Sequence, residues 1–289
     1  MRALPDADGI DWPKSLPFLL AHAVALATPF VAPFAWRWAA LAAGLYAIRM
    51  FAITAGYHRY FSHRAYRTSR PFQLLLALLG ATAAQKGPLW WAAHHREHHR
   101  FSDEEGDVHS PLQRGFWWSH VGWILSRRHH ATRFERVKDL ACHPELVWLD
   151  RWHLVPPLAL GVGLFLVGGL PALLWGFFVS TVALWHGTFA INSLAHVFGS
   201  RRYETADGSR NGLLLALVTL GEGWHNNHHF YPSAANQGFF WWELDVSYGV
   251  LRGLSAAGIV WGLRTPPPQV RLAHLREVPG RALPEPGGG

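Results

Sequence analysis

Cysteine is almost missing from this sequence: Cys142 stands alone in 289 residues. A lone thiol excludes an internal disulfide, an all-cysteine iron–sulfur cluster and a four-thiolate zinc site built by this chain alone. Charge is scarce as well. Asp, Glu, Lys and Arg make up 16% of the residues, well below the usual quarter, while half of the chain is apolar. The cations that remain leave a formal net charge of +7. A nucleic-acid partner needs a basic face. Here the arginines lie between long apolar segments, so a lipid bilayer is the expected partner and nucleic acid is not. No cleavable signal peptide is expected. Residues 1–11 carry acidic side chains and lead into an apolar run of spanning length, not a short signal core.

Residues 16–34 contain no charge and are long enough to cross a bilayer. Three more candidate spans follow, at 38–57 (interrupted by Arg49), 154–170 and 171–195, the last two joined by the tight turn Gly168-Gly169-Leu170-Pro171. A further apolar stretch, 71–88, is broken at its end by Gln85 and Lys86. Arg37 lies between the first two spans and Arg49 inside the second. Every other Lys and Arg falls in the N-terminal segment, in 58–152 or in the C-terminal part. The positive-inside rule makes those three regions cytosolic. Four crossings satisfy this and five do not, so 71–88 is expected as an interfacial or buried cytosolic helix. The expected fold is an all-α integral membrane protein: four transmembrane helices and a cytosolic helical cap, one domain over 1–265, both termini cytosolic. Phe239 to Asp245, FFWWELD, suits a membrane interface. The Pro-, Gly- and Arg-rich stretch 266–289 is expected to be disordered.

Histidine is abundant, with 19 residues, and it is clustered. HRYFSH places His58 and His63 five apart. HHREHHRFSD places His95, His98 and His99 together, and HNNHH does the same for His225, His228 and His229. Positions i, i+3 and i+4 share one helical face, so each HxxHH set is expected to point at one place. The HxxxxH pair suits a helix end that unwinds slightly. Eight imidazoles without a metal would need partners for both nitrogens of every ring. A metal takes one nitrogen from each, and carboxylates take the other: Asp103, Glu104, Glu105, Asp107 and Glu222 are placed for that role. Imidazole suits zinc, copper, iron and nickel. Zinc closes at four ligands in most structural sites, and the HExxH pattern of zinc proteases is absent. A histidine-linked haem needs two axial imidazoles and leaves the rest unexplained. Two irons with four or five nitrogens each would keep a position open.

GYHRYFSHRAY, HHREHHRFSDEEGDVHSP, NSLAHVFG and GEGWHNNHHFYP together resemble the membrane fatty-acid desaturases of the stearoyl-CoA (acyl-CoA delta-9) type, with features of the bacterial branch. The likeness runs from about Gly44 to Pro232, in the same order and with similar separations. It implies two ferrous ions held by His58, His63, His95, His98, His99, His196, His225, His228 and His229, with Asn192 acting through a water. It gives His109 a supporting role and leaves His94 outside the pattern. It also implies a kinked acyl tunnel, with Gln85, Trp91 and Thr188 at its bend and Tyr46 and Met50 near its end. Arg127 and Arg128 match a basic pair beside the nucleotide of coenzyme A, and guanidinium suits phosphate. Lys86 and His94 depart from the animal acyl-CoA enzymes, where an asparagine and an aspartate are expected.

The implied activity removes two hydrogens from a saturated acyl chain, forming a cis double bond with dioxygen as co-substrate. An unactivated methylene has no acidic proton, so the hard step belongs to a cofactor. The expected substrate is an acyl-CoA that receives the double bond at carbon 9, with an acyl-lipid as the alternative carrier. Electrons would come from a b5-type cytochrome, ferredoxin or rubredoxin system docking on the basic cytosolic surface. The implied location is the bacterial inner membrane, with the active site facing the cytosol. A di-iron fatty-acyl hydroxylase is the competing enzyme. A histidine-rich membrane transporter is the competing non-enzyme, but it would need ligands near the bilayer midplane. Arg49, inside a span, is a functional-site candidate without an assigned role.

Overall fold

Asp11 starts the first helix. Its carboxylate accepts the Lys14 amide, and a proline fills the first turn, where a missing N–H costs nothing. Helix α1 then runs Trp12–Val31. Helix α2, Trp36–Phe51, passes without a break into a widened π-helical segment, Ala52–Ser62. The computed structural model describes residues 8–273 and Leu275.

Helix α3, Arg70–Ala81, is capped by the Ser69 hydroxyl. Its 12 residues measure about 18 Å, short of the roughly 30 Å hydrocarbon core. One face of it, with Leu76, Ala77 and Gly80, is buried. At Gly80 an added Cβ would fall 2.2 Å from the Tyr57 ring, so only glycine lets α3 lie this close to the π-helical segment. Helix α4 follows at Pro88–Phe101.

Residues Val155–His196 form one apolar helical stretch of 42 residues that is not straight. Helix α5, Val155–Pro171, contains Gly169 at φ 65°, a left-handed backbone that favours glycine. The chain turns there and folds back through a second π-helical segment, Ala172–Val179, into helix α6, Ser180–Ser193. A Cβ on Gly161 would touch Leu173, and one on Gly176 would touch Leu164, so the two halves pack against each other. Among the described residues, three helices are long and apolar enough to cross a membrane: Trp12–Val31, Trp36–Ser62 and Val155–His196. Large apolar side chains such as Phe30, Leu166 and Val167 stand exposed along them, as lipid-facing surfaces require.

Many of the other described residues form short pieces, among them α7 at Leu213–Val218, α8 at His225–Phe230 and α9 at Val246–Ala256. A two-residue ribbon, β1 (Arg67–Thr68) antiparallel to β2 (Val260–Trp261), ties the chain after α9 to the segment after α2, with Arg67 opposite Trp261. The core around the π-helical segment contains Tyr57, Phe61, Leu76, Leu89 and Leu184.

Two readings of the sequence change here. The stretch from 266 is not wholly irregular. Pro268–Leu272 forms a helical turn, and Tyr203 donates to the Arg271 carbonyl at 2.8 Å; Leu275 bridges to Tyr203. Burial on Tyr203 overrides the proline-rich composition. The rest of the expected disordered tail, 274 and 276–289, lies outside the described residues. Arg49 is buried and does not border the cavity described below. Its guanidinium donates to the hydroxyls of Ser180 and Thr181 and to the Thr82 carbonyl, which ties α2 to α6 and to the end of α3.

Candidate metal centre

The π-helical segment explains the HxxxxH spacing. Its bonds skip to the fifth residue, as the His63 amide does to the His58 carbonyl at 3.2 Å, so residues five apart share a face. Helix α4 presents His95, His98 and His99, and α8 presents His225, His228 and His229. His196 ends the 3₁₀ turn after α6.

These nine rings form two groups. His58, His63, His95, His99 and His228 make the first, and His98, His196, His225 and His229 the second; within each, the candidate ligand atoms all lie within 4.8 Å of one another. The HxxHH sets therefore do not converge as expected. Each sends its i, i+4 pair to one group and its middle histidine to the other, so both helices contribute to both groups.

Four rings are held from behind by carboxylates. His98 Nδ1 donates to Asp107 at 2.9 Å, His196 Nδ1 to Asp103 at 2.8 Å and His229 Nδ1 to Asp207 at 2.6 Å. His58 Nδ1 donates to Glu222. A carboxylate accepts, so Nδ1 carries the proton and Nε2 keeps its lone pair. Those lone pairs then face other nitrogens: His58 Nε2 lies 3.0 Å from His228 Nε2, and His196 Nε2 lies 3.1 Å from His225 Nε2. His228 Nε2 is also 2.9 Å from His99 Nε2, and a single proton there cannot serve both contacts. The Nε2 atoms of His98 and His229 are buried and find no hydrogen-bond partner among the described residues. Nitrogens about 2.1 Å from a shared cation stand about 3 Å apart at right angles. The donor set fits two metal ions, one per group.

Electrostatics agree. Burial, reinforced by the neighbouring histidines, drives His63, His95, His99, His225 and His228 well below the ordinary imidazole value, and His229 falls to about 4. These rings are neutral at pH 7, the form that binds metal. His98 moves the other way: burial opposes its protonation, but the Asp107, Asp103 and Asp207 carboxylates outweigh it. Burial also opposes ionisation of Asp103, Asp107, Asp207 and Glu222, yet their histidine contacts hold all four below the usual carboxylate range.

Between the groups and the spans lies a narrow cavity. Met50, Ile53, Trp91, Thr188, Ile191 and Asn192 line it, together with His58, His95, His98 and His225. Gln85 stands behind this wall, donating to Thr188 at 3.0 Å and accepting from the Trp91 indole at 3.4 Å. Tyr46 lies one helical turn before Met50, and its hydroxyl donates to the Val218 carbonyl at 2.7 Å.

Other expected residues sit elsewhere. Glu104 and Glu105 are exposed on a surface cleft and hold no histidine. The cleft also takes in Arg128, which pairs with Asp8 at 3.1 Å. The Arg127 amide donates to the Gly9 carbonyl, so residues 8–10 run against this pair. His94 is buried on the Trp90 carbonyl, outside both groups. His109 forms a third candidate group with His98 and Asp107.

Three supports were not legible as such. Asp207, in the unremarkable run ADGS, holds His229. Arg59, beside His58, is fully buried and grips Glu222, Asp245 and the Ala235 carbonyl. Asn211 accepts the amides of Asn226 and Asn227 and thereby fixes the start of α8, a helix too short to hold itself.

A profile described as fatty acid desaturase matches residues 34–257. An sn-2 palmitoyl-lipid 9-desaturase of Nostoc sp. (strain 36) is 37% identical over 266 residues, covering 89% of this chain and 92% of that protein. An sn-1 stearoyl-lipid 9-desaturase of Anabaena variabilis is 36% identical, covering 88% and 94%. An icosanoyl-CoA 5-desaturase of Limnanthes douglasii is 37% identical, covering 89% and 73%.

Proposed function

Because this chain belongs to the fatty acid desaturase family, we propose that it introduces a cis double bond at carbon 9 of a saturated acyl chain carried on a membrane lipid. The observation that carries this reading is the five-and-four histidine arrangement facing an apolar-walled cavity beside the spans. In it, the nine histidines would hold two ferrous ions, with Asn192 contributing through a water. Two iron ions bound there supply the oxidising power, drawn from dioxygen, that an unactivated methylene requires.

The protein's own groups do the rest. Asp103, Asp107, Asp207 and Glu222 fix ring direction and keep Nδ1 protonated. Met50, Ile53, Thr188 and Ile191 hold the chain against the metal groups, with Gln85 and Trp91 at the bend, and exclude bulk water. Tyr46 and Met50 limit how far the chain's methyl end reaches. The balance is two protons and two electrons from the chain, two further electrons and two protons from outside, and dioxygen reduced to two waters. The external electrons come from a b5-type cytochrome, ferredoxin or rubredoxin partner at the cytosolic face of an inner membrane that the chain crosses four times.

The carrier choice moves from coenzyme A to lipid for two reasons. Two relatives are described as acyl-lipid enzymes. Arg114 and Arg128 both pair with Asp8, and Arg133 pairs with Glu97, in a cleft that also holds Glu104 and Glu105. Paired arginines among extra carboxylates are a poor seat for a polyphosphate. The test is expression in a cell unable to desaturate, with mass spectrometry of intact lipids and of the acyl-CoA pool. A 9-unsaturated chain appearing first in lipid is the expected result. A hydroxylated chain, or a double bond appearing first on coenzyme A, overturns it.

A further inference from the structure

Between the cavity and the outside there is, on one side, a wall only one short helix thick. The chain makes an excursion from Gly212 to Gly223, and the two ends are tied: the Gly212 amide donates to the Gly223 carbonyl at 2.8 Å, and Asn211 bridges to Trp224. The excursion between them is α7 and the residues after it, LLLALVTL at 213–220, without a charge. Leu213, Leu214, Leu217 and Val218 point outward, Leu214 with 75% of its surface exposed. Thr219, at the other face, lines the cavity. Compact surface loops with joined ends, packed by their own side chains, are frequently functional.

We propose that 213–220 is a bilayer-facing flap, that an acyl chain still attached to its lipid enters the cavity sideways past it, and that the Tyr46–Val218 bond is its latch. The proposal rests on the lipid-desaturase reading above. A lipid's second chain stays in the hydrocarbon, so its neighbour reaches an enclosed site most readily through an opening on the lipid side.

The surroundings commit this surface to lipid. It packs against α6 and meets α2 through the Tyr46–Val218 bond, and both helices belong to apolar stretches of spanning length. Trp241 and Trp242 stand exposed nearby, as side chains at headgroup level do. Their loop leads into α9, where the Ser247 amide donates to the Leu220 carbonyl. Motion of the flap need not reach the metal groups. Leu220 and Gly221 both adopt positive φ, marking the end of the excursion, and the next residue, Glu222, is gripped by Arg59.

The test is photolabelling in lipid nanodiscs with a phosphatidylcholine that carries a diazirine midway along a saturated chain. Mass spectrometry is expected to find label on residues 213–219 and on cavity residues such as Ile53 and Thr188. Label confined to other lipid-facing helices, with none in the cavity, overturns the proposal. Tyr46→Phe removes only the latch hydroxyl. A nitroxide on Leu214→Cys, in a Cys142→Ser background, is expected to gain mobility in that variant, and cavity labelling is expected to rise several-fold. Unchanged mobility and labelling overturn the latch. Flap and cavity labelling in a protein that forms no double bond would sink the desaturase reading and leave the lipid entrance standing.

Discussion

His228 Nε2 lies 2.9 Å from His99 Nε2, although 129 positions separate the two residues. Each comes from an HxxHH set, and each set is divided between the two groups. Every group is therefore assembled from both α4 and α8, so neither helix can shift without distorting both centres. His228→Ala should consequently remove more than one ligand's worth of order. Iron content is expected to fall from about two to about one per chain, with no double bond formed. His94→Ala, a buried ring outside both groups, should leave iron content unchanged. Metal analysis of the purified variants checks this pair.

Asp207 holds His229 as Asp107 holds His98. Partners of this kind are worth about 10- to 100-fold in metal affinity or activity. Asp207→Asn keeps the shape but loses the charge, and a loss in that range is expected while the fold survives. Glu105→Gln, at an exposed carboxylate, should have no effect. Iron-binding titrations on both variants decide the matter, and equal affinities would remove Asp207 from the site.

Why one acid was legible and another not is a matter of distance along the chain. Asp103, Asp107 and Glu222 lie close in sequence to histidine clusters, and the structure turns all three onto imidazoles. Glu104 and Glu105 are equally close, but the turn at Asp103 (φ 59°) and Gly106 (φ 104°) leaves them pointing outward. Asp207 and Arg59 work through partners 22 and 163 positions away, and no local spacing encodes such a meeting. The helical character and the apolar segments were readable from hydropathy. The sharing of histidines between groups was not, because periodicity describes one helix and the sharing depends on how two helices pack. His196 entered only through the family resemblance.

Acidification should strip the metal. An unfolded chain protonates imidazole near 6.5, whereas in the folded protein His63, His95, His99, His225 and His228 resist protonation well below that value. Below 6.5 the unfolded chain therefore binds more protons than the folded one. Stability is full above 6.5 and is lost progressively as pH falls toward the folded values, about 4 for His229. Bound metal deepens the dependence, because protons compete for the same Nε2 atoms. Iron retention and melting temperature measured from pH 7.5 to pH 4.5 should decline together from about 6.5 downward. A flat profile would contradict the neutral-imidazole assignment.

Arg59 is the buried cation that keeps two carboxylates in place. Arg59→Met would strand Glu222 and Asp245 in the interior, and breaking such a buried network costs about 3–5 kcal/mol. A fall in melting temperature with loss of iron is expected. Lysine should rescue poorly, since one ammonium cannot reproduce the guanidinium's contacts with Glu222, Asp245 and the Ala235 carbonyl.

Arg49 sits inside a helix of spanning length, and its bonds go to Ser180, Thr181 and the Thr82 carbonyl, not to the cavity. Those partners belong to α6 and the end of α3, so the side chain acts as a cross-brace among three helices. Arg49→Leu removes the brace and leaves buried hydroxyls and a carbonyl to find other partners, at about 1–3 kcal/mol for each group left unsatisfied. The variant should melt at a lower temperature and still make the same products, with the same chain-length distribution. Mass spectrometry of its lipids provides the check. A shift toward longer or shorter chains would mean that Arg49 shapes the path of the substrate after all.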